Sequence, residues 1–321
     1  MSKKTILWLT AAAALILTGS IIFVGVMSAM DWDFSKLSTS EKQTNHYEVS
    51  EDFQDISIRT NTADVLLVPS EDGKISVSCH EYARQKHTVS VVDNTLVIQY
   101  TDTRKWYDHI GINFGSAKIT IAIPGGVYGD LSVRSHTGDV KLLEEYQFES
   151  IDISLTTGNV TCRATSLSDI KIKTTTGDIM VDHVTAAGLS LVTSTGKVTA
   201  NGVNCSVGDV SVRVSTGKTA LTDLLCKNLT SEGDTGNITL KNVIASGRFS
   251  IERDTGNVKF DGCDAEEIFV ETDTGDVKGT LLSEKVFMAK SDTGKISVPK
   301  TVTGGRCEIE TDTGDIKIQI P

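Results

Sequence analysis

Apolar residues recur along this chain with a period of two, on either side of a Thr-Gly pair that returns about every 20 residues. The glycine of the pair falls at Gly138, Gly158, Gly177, Gly196, Gly217, Gly236, Gly256, Gly275, Gly294 and Gly314, at intervals of 20, 19, 19, 21, 19, 20, 19, 19 and 20. Counted from that glycine, positions minus 7 and minus 5 are apolar in nearly every copy, as in Ile151/Ile153, Ile170/Ile172 and Ile268/Val270. Positions plus 2 and plus 4 repeat the pattern, as in Val140/Leu142, Ile179/Val181 and Ile316/Ile318. Alternation rich in Val and Ile on both sides of a turn predicts two strands per unit, each with one buried face. A further apolar position at plus 7 (Val184, Val203, Leu224, Val243, Leu282) turns the chain inward again.

A meander of hairpins and a coil of parallel strands both show this alternation. A coil stacks each residue on its own kind, and Thr occupies minus 1 in all ten copies, from Thr137 to Thr313. The expected fold is therefore all-β, a parallel β-solenoid of about ten rungs that bury their apolar faces only by stacking. Its winding is expected to be right-handed, and ten rungs at about 4.8 Å make a rod roughly 48 Å long. The glycine itself is assigned to a tight turn with φ above zero.

Ahead of the repeat, Thr5 to Met30 carries no charge. As a helix it spans about 39 Å, enough to cross a hydrocarbon core with tilt. Lys3 and Lys4 precede it and Asp31 and Asp33 follow, which places residues 1–4 in the cytoplasm and the body outside the cell membrane. A cleaved signal peptide is the other reading of this segment, although its apolar core is long for one. Residues 31–45 read as a stalk. Residues 46–130 read as a partly antiparallel β cap with a worn rung at Thr62–Val65, where Ala63 replaces glycine, and residues 131–321 read as the solenoid. The final run IKIQIP is expected to leave an open strand edge, so self-association is assigned to the C-terminal rung.

The run AKITIAIPGGVYGDLSVRSHTGDV (117–140), the worn T-A-D-V rung and the repeated S/T-x-T-G-D/N-V/I units together resemble the bacterial DUF4097 family. These are β-strand-repeat proteins that carry an adhesin label, and the group includes membrane-anchored proteins associated with envelope stress. The resemblance spans roughly Asp52 to the C-terminus. It implies an extracytoplasmic β-solenoid and brings no catalytic residues.

Candidate chemistry is sparse. Asp-Thr-Gly recurs at Asp234, Asp254, Asp273, Asp292 and Asp312. An aspartic protease needs two such carboxylates facing across a cleft, whereas five at a constant interval form a column. That column reads as a solvated turn whose Asp accepts local backbone N–H groups, with Lys259, Lys278, Lys295 and Lys317 nearby to offset its charge. A ladder of oxygen ligands for Ca²⁺ is the alternative. Cys205 and Cys226 share position plus 9 of consecutive rungs, which brings them within disulfide reach, while Cys162, Cys263 and Cys307 fall on core positions. Cys79, His80, Glu81 and His87 resemble metal ligands, but Cys79 and His80 face opposite ways on one strand, so no metal site is assigned. Trp106, Tyr107 and His109 form a possible binding loop within Thr101–Ser116.

A formal charge of -11 without a basic stripe argues against nucleic acid as a partner. The expected function is binding or scaffolding at the cell envelope, adhesin-like and non-catalytic, with no cofactor. The alternative is a regulatory or sensory accessory subunit of an envelope-stress system.

Overall fold

The computed structural model describes residues 2–33, 41–104, 115–143 and 146–320. The stalk is described only in part, and the loop residues Trp106, Tyr107 and His109 lie outside the described residues. The helix Lys3–Ala29 is long and apolar enough to cross a membrane, and of its residues only Met27 is buried. Ser2 caps it, its hydroxyl accepting from Thr5 N–H at 3.2 Å.

The body is a parallel β-solenoid. Each coil places one strand before the Thr-Gly turn and one after it, and the turn threonines stack in register from Thr137 through Thr157, Thr176, Thr195, Thr216, Thr235 and Thr255 to Thr274. Alternation fixes which side chains meet. Residues at minus 7, minus 5, plus 2 and plus 4 of the central coils are buried, and the plus 7 residues Val184, Val203, Leu224 and Val243 join them. Leu282 is the exception, being 51% exposed. A register shift between Phe260 and Cys263 seats Leu281 against Cys263 and turns Leu282 outward.

The repeated glycine has the positive φ its turn predicts at seven of the ten positions, and a second requirement holds at all ten. Gly177 has φ +148°, but Gly256 and Gly275 have no left-handed φ, and all three lack room. A Cβ on Gly177 would meet the carbonyl oxygen of Gly158 at 2.0 Å, and one on Gly256 would meet that of Gly236 at 2.2 Å. The common requirement is the close approach of one turn's backbone to the next.

Stacking order departs from chain order at both ends. At the far end, Gly305–Thr313 pairs with Glu267–Thr274 on one side and with Lys285–Thr293 on the other. The second strand agrees, Ile316–Gln319 lying between Val277–Leu281 and Ile296–Ser297. The last strands of the described chain are thus internal, and the outermost coil is the one before them. This corrects the expectation of an open edge at the C-terminal rung. The end coil is correspondingly less buried, with Ile296 45% exposed, whereas Cys307, Ile309, Ile316 and Ile318 are all closed off.

At the near end the worn rung is a true coil, with Ile56 on Leu131, Ile58 on Val133 and Val65 on Val140. Outside it, Thr95–Asp102 and Ala117–Ile123 add parallel strands. Three antiparallel strands then cover the end. Ile75–Tyr82 pairs with Ala117–Ile123, Lys42–Val49 pairs with Ile75–Tyr82, and Gln85–Val92 pairs with Thr95–Asp102.

Candidate functional site

Stacking turns each outward or turn position into a column. At plus 1, immediately after the glycine, Asp and Asn side chains form a ladder. Asp64 Oδ1 accepts from Asp139 N–H at 2.9 Å, Asp139 from Asn159 at 2.9 Å, Asn159 from Asp178 at 2.8 Å, and Asp178 from Lys197 at 2.7 Å. Lysine has no acceptor, so the ladder stops there. It resumes at Asn237 and passes through Asn257, Asp276 and Asp315 to end on Lys295 N–H. The order 276, 315, 295 repeats the inverted stacking of the last coils. A second column lies inside, at minus 3, where buried Thr174, Thr193, Thr272 and Thr311 each donate a hydroxyl to the carbonyl of the glycine one coil back in the stack. Neither column is singled out by the sequence reading, although D/N at plus 1 is visible in the repeat.

The inner column is interrupted at Val214, Gly233 and Arg253. Arg253 is 1% exposed and reaches past Gly233 to donate to Val214 O at 2.7 Å and Thr219 Oγ1 at 3.1 Å. A Cβ on Gly233 would sit 1.9 Å from its Nη1. Burial pulls the Arg253 pKa below its usual value, and the negative charge of Asp234 opposes that shift.

Asp234, Asp254, Asp273, Asp312 and Asp292 are exposed, in that stacking order. Among the described residues none of them accepts a backbone N–H. That role belongs to the plus 1 column, three residues further on. Of the lysines expected to offset their charge, Lys278 turns elsewhere. Lys278 pairs with Asp276 at 2.6 Å and Asp315 at 3.6 Å, and the contact to the column comes instead from Lys290, 3.9 Å from Asp292. Beside the aspartates runs a second acidic column of Glu232, Glu252, Glu271 and Glu310, with Arg213 paired to Glu232 at one end and Lys290 to Glu310 at the other.

Cys205 and Cys226 are register partners, as their shared position predicts. Both are buried thiols, pushed up to about 11 and about 12 by desolvation. Cys162, Cys263 and Cys307 lie in the core as expected.

The most concentrated chemistry lies in the cap. Cys79 and His80 do face opposite ways, His80 turning out to Thr44 Oγ1 at 3.0 Å. Glu81 shares the inward face with Cys79, and the hairpin brings His87 onto both. His87 Nδ1 lies 2.7 Å from Glu81 Oε2, His87 N–H donates to the same oxygen at 2.8 Å, and Asn45 Nδ2 donates to Oε1 at 2.6 Å. Thr60 Oγ1 lies 2.9 Å from His87 Nε2. Glu81 and Cys79 are fully closed off and His87 is 2% exposed. The sequence reading judged these residues by Cys79 and His80 and so missed the group that forms across the hairpin.

The DUF4097 family profile, described as Toastrack, matches residues 53–211 and 202–321. This chain belongs to the Toastrack family. No curated protein matches it in sequence. Similar solved structures include a "putative adhesin" of Bacteroides fragilis, 18% identical with a TM-score of 0.42, covering 88% of this chain and 99% of the other. A "putative adhesin" of Parabacteroides distasonis is 11% identical with a TM-score of 0.43, covering 87% and 98%. A "putative cell adhesion protein" of Clostridium sporogenes is 13% identical with a TM-score of 0.24, covering 88% and 100%. At these values the likenesses add nothing about what this Toastrack chain binds.

Proposed function

We propose that this Toastrack chain is a single-pass membrane protein whose body stands outside the cytoplasm as a rigid binding or scaffolding rod, adhesin-like and without catalysis. The observation that supports this most is the union of two surfaces in one chain. The helix exposes Leu7, Trp8, Leu15, Ile16 and Ile21 on all its sides, each at least 69% accessible, a surface that water does not tolerate. The stack turns mainly polar and charged columns outward along its central coils, with Leu167, Met180, Val207 and Leu225 as scattered apolar exceptions. The acidic columns of the distal coils favour a partner that brings positive charge and disfavour polyanions. The lysines before the helix and aspartates after it support a cytoplasmic N-terminus.

The test uses cells carrying the full chain. Protease added to intact cells is expected to remove the body and leave the helix in the membrane fraction. A body degraded only after lysis overturns the topology. Retention of the full chain on envelope material is expected to fall several-fold when Glu252, Asp254, Glu271 and Asp273 are all changed to Ser, and unchanged retention overturns the binding face. Crosslinking next to Asp31 that captures another membrane protein instead would favour an accessory subunit.

A further inference from the structure

We propose that the cap holds a metal ion, with Cys79 Sγ, Glu81 Oε2 and His87 Nδ1 as ligands for a thiophilic divalent cation of the Zn²⁺ type. One ligand atom from each residue lies within 4.8 Å of the other two. A tetrahedral ion at about 2.0–2.3 Å from its ligands holds them about 3.3–3.7 Å apart, so the three close onto one ion with small shifts. The set of thiolate, carboxylate and imidazole is that of a borderline-soft ion and not of Ca²⁺ or Mg²⁺, which take oxygen ligands.

Charge favours the same conclusion. Glu81 is a fully buried carboxyl group whose Oε2 lies 2.7 Å from His87 Nδ1. Cys79 Sγ lies in the same closed space as the Glu81 carboxylate, where a thiolate and a carboxylate side by side call for a cation between them. A divalent cation with one thiolate and one carboxylate makes the site neutral. The surrounding groups are those that a metal site uses to orient its ligands. Thr60 Oγ1 lies at His87 Nε2, where it accepts the ring N–H once Nδ1 faces the ion, and Asn45 Nδ2 anchors the carboxylate oxygen that does not.

Loading balances simply. The ion enters, the Cys79 thiol gives up its proton to solvent, and the proton held between His87 Nδ1 and Glu81 Oε2 leaves that position, so that the bound imidazole ligates through Nδ1 with its one proton on Nε2. Each ion bound therefore releases at least one proton. The four segments joined are the strand Lys42–Val49 through Asn45, the link at Thr60, and the hairpin strands Ile75–Tyr82 and Gln85–Val92, so the ion clamps the cap to the first coil.

The test takes the full chain in detergent, stripped with a chelator and titrated with Co²⁺ and then Zn²⁺. The expected result is one equivalent of Co²⁺ with a thiolate-to-cobalt charge-transfer band, displacement by Zn²⁺, and release of at least one proton per ion in weak buffer. Cys79→Ser removes the band. Thr60→Val weakens affinity about 10- to 100-fold while leaving the three ligands in place. His80→Gln, beside the site but facing outward, changes nothing. A folded chain that takes up no Co²⁺ and releases no proton overturns the proposal and leaves a hydrogen-bonded cluster only. A band that survives Cys79→Ser overturns it as well. Should Cys79→Ser not fold, proton release and the Thr60→Val shift decide.

Discussion

Thr274 stands in register with Thr313, and Thr293 lies beyond Thr313 on its far side. The strands from Gly305 onward are therefore held between two coils, and each neighbour depends on them.

Truncation after Gly304 is expected to cost far more than the loss of one coil. It removes Cys307, Ile309, Ile316 and Ile318, each worth about 1.5–3 kcal/mol of burial. It also deprives Lys285–Thr293 of its only strand partner among the described residues. Deleting 285–304 instead removes the outermost coil and leaves Gly305 to follow Glu284 at the spacing of the earlier coils. Thermal melts should show the truncated protein strongly destabilised and the internally deleted one close to the parent. Equal melting temperatures for the two would contradict the stacking order.

Gly177→Ala must push apart two coils whose backbones already touch. The expected loss is about 2–4 kcal/mol, from overpacking and a left-handed φ together. Gly125→Ala, with nothing within 4 Å of the added carbon, is expected to change stability by less than about 0.5 kcal/mol. Urea midpoints of the two variants measure the difference.

Asn257→Ala takes away the oxygen that accepts Asp276 N–H at 2.8 Å. The rung is exposed, so the expected cost is about 1 kcal/mol. Asn257→Asp keeps the acceptor and should cost less. Amide exchange at Asp276, followed by NMR, should quicken in the alanine variant only.

The pH profile of stability has two limbs with different owners. Arg104 holds the Asp102 carboxyl down to about 2, and Lys278 and Asn201 lower Asp276 and Asp182. Their folded pKa values lie below the unfolded ones, so their contribution is present above about pH 4 and is lost as pH falls toward about 2. Buried thiols act in the opposite sense. Desolvation raises Cys162, Cys226 and Cys307 to about 12, so the folded state keeps them neutral while the unfolded state ionises near pH 8.5. Their contribution is whole below that value and fades as pH rises toward about 12. Urea midpoints should form a plateau between about pH 5 and 8 with a fall on each side, and Cys162→Ala should flatten the alkaline one. In the native protein no thiol should react with a disulfide reagent, and six should react on unfolding without reductant. A count of four would mean that Cys205 and Cys226 had closed a bridge.

The stack was legible because burial imposes period two on every coil, and Thr at minus 1 revealed that equivalent positions lie over one another. The order of the last coils was not, since Thr293 and Thr313 fit the same column equally well. The available signal was compositional. Phe287, Ala289 and Val298, followed by Pro299, make a poorer inner face than Cys307, Ile309, Ile316 and Ile318, and the poorer face suits an end. The cap cluster escaped for another reason: Cys79 and Glu81 are two residues apart, but His87 reaches them only through a hairpin whose register no local pattern states.

A ribosome makes Lys285–Thr293 before Gly305–Thr313, so a nascent chain first offers Glu267–Thr274 the wrong neighbour. Any docking made there would have to be undone before the last segment could take its place between the two. The segment made last is thus the one that joins the distal coil to the rest of the rod.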